Sequence, residues 1–169
     1  MIRHLTAADF RPMPWANGKG VTIELARAEG PTGLLWRLSR ASVIENGPFS
    51  IFPGIERNLT ILTGPGFDLT GEGIALQARP FAPVAFPGDV PVTATGVTAP
   101  SDDFNVMTAR NLPRPQVQVI TTAQTLTPPA NTLLAVYAAR ANSLTLTDEP
   151  LPVAPQEPLL AVLLHLPNG

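Results

Sequence analysis

Twenty prolines and 13 glycines, spread along 169 residues rather than clustered, cut this chain into short pieces. A proline inside a helix removes a hydrogen bond and clashes with the preceding turn, so helices of ordinary length have little room here. What lies between the breaks alternates. Val21, Ile23 and Leu25 alternate with Thr22, Glu24 and Ala26, and Leu34, Trp36 and Leu38 with Leu35, Arg37 and Ser39. Period two marks a half-buried strand. Residues 57–63 (RNLTILT), 104–110 (FNVMTAR), 117–126, 143–147 and 159–166 read as further strands, and Thr70-Gly71-Glu72-Gly73 as a hairpin tip. Residues 132–140 (TLLAVYAAR) have the composition of a short helix, but their neighbours favour β. Turn signals recur at Asn46-Gly47-Pro48, Gly64-Pro65-Gly66 and Pro87-Gly88-Asp89, with a polar corner at Ser101-Asp102-Asp103. The pattern predicts one compact all-β unit over residues 1–169, an antiparallel sandwich or barrel.

A 44% hydrophobic fraction is enough for a packed core, and a net charge of −2 offers no electrostatic footprint for nucleic acid. With no cysteine, thiolate metal sites, disulfides and Cys nucleophiles are excluded. His4 and His165, the only histidines, stand at opposite ends and lack metal-ligand spacing. No serine sits in a G-x-S-x-G elbow, and Gly18-Lys19-Gly20 lacks the rest of a phosphate-binding loop. No run approaches the ~18 apolar residues of a membrane span. The first residues, MIRHLTAADF, have no apolar stretch of the signal-peptide kind, so the expected location is cytoplasmic. No catalytic residue, metal or cofactor is assigned.

Polar groups inside the apolar strands carry the most information, because each must be bonded or paired once buried. Arg57 shares parity with Leu59 and Ile61; turned inward, it is a fork for a carboxylate ligand. It can equally form an internal ion pair with Asp103 or Glu24, or end a strand in solvent. Asp103 and Asn105 leave their strand on one side, opposite Phe104 and Val106. A corner Asp can simply cap its own turn. Arg37 points away from Trp36 and Leu38, to a pocket or to the outer face with Ser39. Trp15 and Trp36 read as core or rim aromatics. The stretch PWANGKGVTIE, residues 14–24, delivers Asn17 from a turn and Glu24 from the strand that follows, as a pocket wall or a plain hairpin would.

PWANGKGVTIE (14–24), WRLSRASV (36–43), NGPFSIFPGIER (46–57), FPGD (86–89) and DFNVMTAR (103–110) together resemble the HutD/Ves family of cupin-like proteins. The resemblance covers about the first two thirds of the chain; a less distinctive β half follows from about residue 111. Lys19 stands where the family typically has a further glycine. The resemblance implies a cupin-like (RmlC-like) antiparallel β-barrel or jelly roll, two stacked half-barrels in one chain, without a histidine metal motif. It also implies an accessory or regulatory protein of bacterial histidine utilisation that binds a small pathway acid, N-formyl-glutamate or urocanate. Asn17, Arg57, Asn105 and Arg37 become the ligand contacts, with Glu24 and Asp103 orienting the Arg57 guanidinium from behind. The rival reading is a metal-independent cupin isomerase or hydrolase using Glu24 or Asp103 as acid/base. Strand edges in barrels of this kind leave a homodimer open.

Overall fold

Strand follows strand along the chain, as the spacing of its breakers dictates. The computed structural model describes residues 1–16, 18 and 20–167. In the first part lie β1 (Ile2–Leu5), β2 (Arg11–Pro14), β3 (Val21–Gly30), β4 (Gly33–Val43), β5 (Gly47–Pro48) and β6 (Ile55–Thr63). Then come β7 (Phe67–Gly71), β8 (Ile74–Ala78), β9 (Val84–Pro87), β10 (Val92–Thr95) and β11 (Ser101–Ala109). The last part holds β12 (Val117–Ile120), β13 (Gln124–Leu126), β14 (Thr132–Ala138), β15 (Ser143–Thr147), β16 (Leu151–Val153) and β17 (Leu159–His165). The ambiguous stretch around Thr132 is thus a strand, and its pairing with both β15 and β17 supplies the reason. The hairpin tip narrows to Glu72-Gly73, since Gly71 already pairs with Ile74. The polar corner is not a corner: Ser101, Asp102 and Asp103 open β11, and the ladder to β6 absorbs the irregularity as a bulge between Asp102 and Asp103.

Four sheets stack in sequence. A six-stranded sheet, β2-β3-β4-β11-β6-β9, faces a four-stranded one, β5-β10-β7-β8; a five-stranded sheet, β1-β15-β14-β17-β12, faces the pair β13-β16. Each facing pair closes over its own core. Leu59, Ile61, Phe67, Leu69 and Phe86 fill the first, and Ile120, Leu134, Val136 and Ala161 the second. The six- and five-stranded sheets then pack back to back through Leu38, Phe104 and Val106 against Tyr137, Leu144, Leu160 and Leu164. The central strands are therefore covered on both faces, which is why β6 is buried throughout except at Thr63. Phe104 stacks on Tyr137 with ring centroids 5.3 Å apart. Arg40 pins the same seam, donating to Asp102 Oδ2 at 2.9 Å, Tyr137 Oη at 3.0 Å and the Ala139 carbonyl at 2.9 Å. The N-terminal strand β1 crosses to pair with β15, so the second barrel uses residues from both ends of the chain. Among the described residues no helix is long and apolar enough to cross a membrane.

Candidate functional site

Antiparallel register sets the site. Across β6, β11 and β4, Arg57 aligns with Met107 and Met107 with Arg37. The next row on that face is Leu59, Asn105, Ser39 and, on β3, Glu24; the next is Ile61, Asp103, Ala41 and Thr22. Since side chains alternate between faces, these rows point into the first barrel while Leu38, Phe104 and Val106 point to the seam. A pocket of about 450 Å³ opens above them, floored by Arg37, Ser39, Arg57, Asp103, Asn105 and Met107. Met13 and Trp15 form one side, Phe49 and Phe52 the other. Trp15 is held by its indole N–H, which donates to Thr22 Oγ1 at 2.8 Å.

Arg57 is 6% exposed, and its Cζ lies 5.4, 5.3 and 5.0 Å from the ring centroids of Phe49, Phe52 and Phe86. Such cation–π contacts stabilise a desolvated cation by up to about 2 kcal/mol each. Its Nη2 donates to Asn105 Oδ1 at 3.0 Å, and Asn105 Nδ2 donates in turn to Asp103 Oδ1 at 2.5 Å. The Arg57 Nε–H is buried with no partner among the described residues. Burial pulls the guanidinium down to about 10, with Asp103 opposing and Arg37 adding to the fall, so it stays charged at neutral pH. Asp103, 1% exposed, is pushed up by burial to about 7, with Arg57 pulling the other way and Asp102 adding to the rise.

Glu24 does not stand behind Arg57. Its Oε2 accepts from Arg37 Nε at 2.9 Å and lies 3.7 Å from Arg27 Nη1. The reason is sheet order: β3 neighbours β4, and β11 separates both from β6. Asp103 acts on Arg57 through Asn105, with no direct ion pair between them among the described residues. Asn17 and Lys19 lie outside the described residues. Phe49 and Phe52 line the pocket without having been singled out as site candidates from the sequence. Two phenylalanines in a loop bounded by Asn46-Gly47-Pro48 and Pro53-Gly54 were the available signal. That loop is fastened by backbone bonds from Phe49 N to Val92 O (2.9 Å), Phe52 N to Gly88 O (2.7 Å) and Arg110 N to Gly54 O (2.9 Å). Arg110 also clamps Asp89 with both terminal nitrogens and Glu56 with Nε, so FPGD and DFNVMTAR meet to hold the pocket wall.

A raised carboxyl leaves a signature in stability. Between the unfolded value of 3.8 and the folded value of about 7, the native state holds a proton on Asp103 that the unfolded chain has lost. This contribution is fully present below pH ~4, is lost as pH rises to about 7 and changes little above, by on the order of 2–4 kcal/mol. Asp103→Asn should therefore be more stable than wild type at pH ~8, with the gap closing towards pH ~4. Urea denaturation of both at the two pH values checks this; a gap that does not depend on pH would refute it.

Two stacked antiparallel barrels, one of them holding a pocket floored by arginine and amide groups, define a cupin-type protein. Among the described residues no cluster of three or more His, Cys, Asp or Glu is placed to hold a metal ion. The chain belongs to the HutD family, whose model matches residues 7–161. It is 36% identical over 141 residues to an uncharacterised 21.2 kDa protein in the hutC 3′ region of Pseudomonas putida, covering 82% of this chain and 74% of that one. Protein Ves of Citrobacter koseri is 38% identical over 117 residues, covering 66% of this chain and 61% of Ves. HutD from Pseudomonas fluorescens SBW25, solved in a formate condition, superposes with a TM-score of 0.84 at 29% identity, covering 98% of this chain and 100% of that one. The 7S globulin of Momordica charantia, at 8% identity and a TM-score of 0.56, covers 95% of this chain and 82% of its own and shares the fold alone.

Proposed function

We propose that this protein binds a small carboxylate metabolite in the pocket of its first barrel and serves as an accessory or regulatory sensor in histidine utilisation. Arg57 carries the reading. It is a buried guanidinium bonded to an amide rather than to a carboxylate, with an Nε–H that lacks a partner among the described residues. A cation taken from water without a contact anion is costly, and a ligand carboxylate matches its fork. Arg37, held by Glu24 on the far side of Met107, offers a second cationic group. N-formyl-glutamate and urocanate, the acids implied by the family resemblance, each pair a carboxylate with a further polar group. The Asn17 amide completes the proposed contacts on the strength of that resemblance.

A thermal-shift screen with N-formyl-glutamate, urocanate, histidine and glutamate tests this. One of the first two, at ~100 times its Kd, should add about 2.7 kcal/mol and raise Tm by roughly 5–10 °C. No shift with any of the four would sink the sensor reading.

An acid/base enzyme is the second reading, favoured by the Asp103 carboxyl standing near neutrality at the pocket floor. Glu24 suits that role less, being held by Arg37. Conversion of a bound acid, followed by proton NMR and lost in Asp103→Asn, would move the assignment to catalysis.

A further inference from the structure

Among the described residues Asp103 is the one acidic side chain on the pocket floor, and no arginine makes a contact ion pair with it. The charges around it come from every packed strand. Arg57 faces it from β6, and Asp102 adjoins it on β11. Arg40, from β4, is already held by Asp102, Tyr137 and the Ala139 carbonyl. Arg37 is paired with Glu24, which Arg27 also approaches, and bears on Arg57 rather than on Asp103. The balance at the floor is then Arg57 against Asp103. With Asp103 ionised, an incoming carboxylate places two anions about one guanidinium in a site nearly dry on the Asp103 side. With Asp103 protonated, the guanidinium meets the incoming carboxylate without a second anion at its back.

We infer that Asp103 is a proton-coupled specificity residue: the pocket takes an anionic ligand together with a proton held on the Asp103 carboxyl, which Asn105 links to Arg57. This rests on the carboxylate-binding reading. A free-protein value of about 7 puts the proton near balance at neutral pH, and a ligand anion on Arg57 raises that value further. Above it, binding must draw a proton from solution, so affinity falls as pH rises; below it, affinity is flat. Arg57, at about 10, remains charged across this range and does not contribute to the slope.

Isothermal titration with N-formyl-glutamate, and with formate as the minimal carboxylate, tests the coupling, because both probes stay ionised between about pH 6 and 8.5. Wild-type Kd should weaken roughly tenfold or more over that interval, with uptake approaching one proton at the upper end, read from buffers of different ionisation enthalpy. Asp103→Asn should bind with a Kd independent of pH and close to the wild-type value at the lower pH. A flat wild-type Kd without proton uptake overturns the inference and leaves carboxylate binding standing. So does a folded Asp103→Asn that keeps the slope or does not bind. If neither probe binds wild type at any pH, the carboxylate reading itself falls, and this inference with it. Proton uptake needs no variant, so a misfolded mutant does not blunt the test.

Discussion

Arg57→Met should abolish ligand-induced stabilisation while leaving the protein folded, with an unliganded Tm near that of wild type. Methionine keeps an unbranched stem of similar reach among Phe49, Phe52 and Phe86, and its thioether is at home against aromatic rings. The substitution removes a buried cation that has no contact anion among the described residues, so its desolvation cost disappears with it. It also gives up the three cation–π contacts and leaves the Asn105 Oδ1 without its donor, losses that offset the gain. For the ligand nothing compensates. Losing a charge-assisted, bidentate contact costs about 3 kcal/mol, which weakens Kd by on the order of 100-fold. Arg57→Ala is a poorer probe, since the space opened beneath three rings should itself cost roughly 2–4 kcal/mol. Thermal shift and titration on the Met variant decide the matter. If it retains the wild-type response to the acid, Arg57 is a structural cation and the ligand is held elsewhere.

Gly66→Ala should be among the most damaging single substitutions in the chain. Gly66 sits between β6 and β7, where the chain leaves the six-stranded sheet for the facing one, and its φ is +83°. Its N–H donates to Ser101 Oγ at 2.8 Å, fixing the turn to the start of β11. A Cβ built there would stand 2.0 Å from the Ala78 carbonyl oxygen, which belongs to β8 and is not the free end of a side chain. The left-handed backbone alone costs about 1 kcal/mol in an alanine. Relieving the clash must shift backbone, so a total loss of roughly 3 kcal/mol or more is expected. Gly73→Asn supplies the contrast: φ there is +69°, but nothing lies within 4 Å of an added Cβ. Asparagine tolerates that conformation, and the cost should stay within about 1 kcal/mol. Urea midpoints of the two variants against wild type give the comparison, and equal losses would show that crowding at Gly66 is relieved without strain.

Much of this architecture was legible along the chain. Breakers every few residues left helices of ordinary length little room, and period-two alternation placed Arg57 with Leu59 and Ile61, and Asp103 with Asn105, because a strand's two faces are written into residue parity. The structure puts those residues on one face of the six-stranded sheet, where Arg57, Asp103 and Asn105 floor the pocket together with Arg37. One local reading gave way to long-range pairing, and another, the strand at Thr132, was upheld by it. Ser101-Asp102-Asp103 has the composition of a corner, yet ladders to β4 and β6 hold it extended. Thr132 and its successors have helix-compatible composition, yet neighbours on both sides hold them in a sheet.

Partners were not legible, for a physical reason. Parity says which side of a strand a residue leaves, but strand order decides what it meets there. Glu24 reads as a natural counterion for Arg57 until the order β3-β4-β11-β6 sets it beside Arg37 instead. The phenylalanine wall depends on Gly88, Asp89 and Arg110, distant in sequence, folding back to fasten the Phe49–Phe52 loop. The sequence by itself determined an all-β chain and which polar residues share a strand face, since these follow from local sterics and alternation, while its family showed through the resemblance of its motifs. Only the tertiary structure decided that Arg57 would be buried beside an amide and Asp103 sealed beneath it, because desolvation and charge balance arise only when remote strands close over a common space.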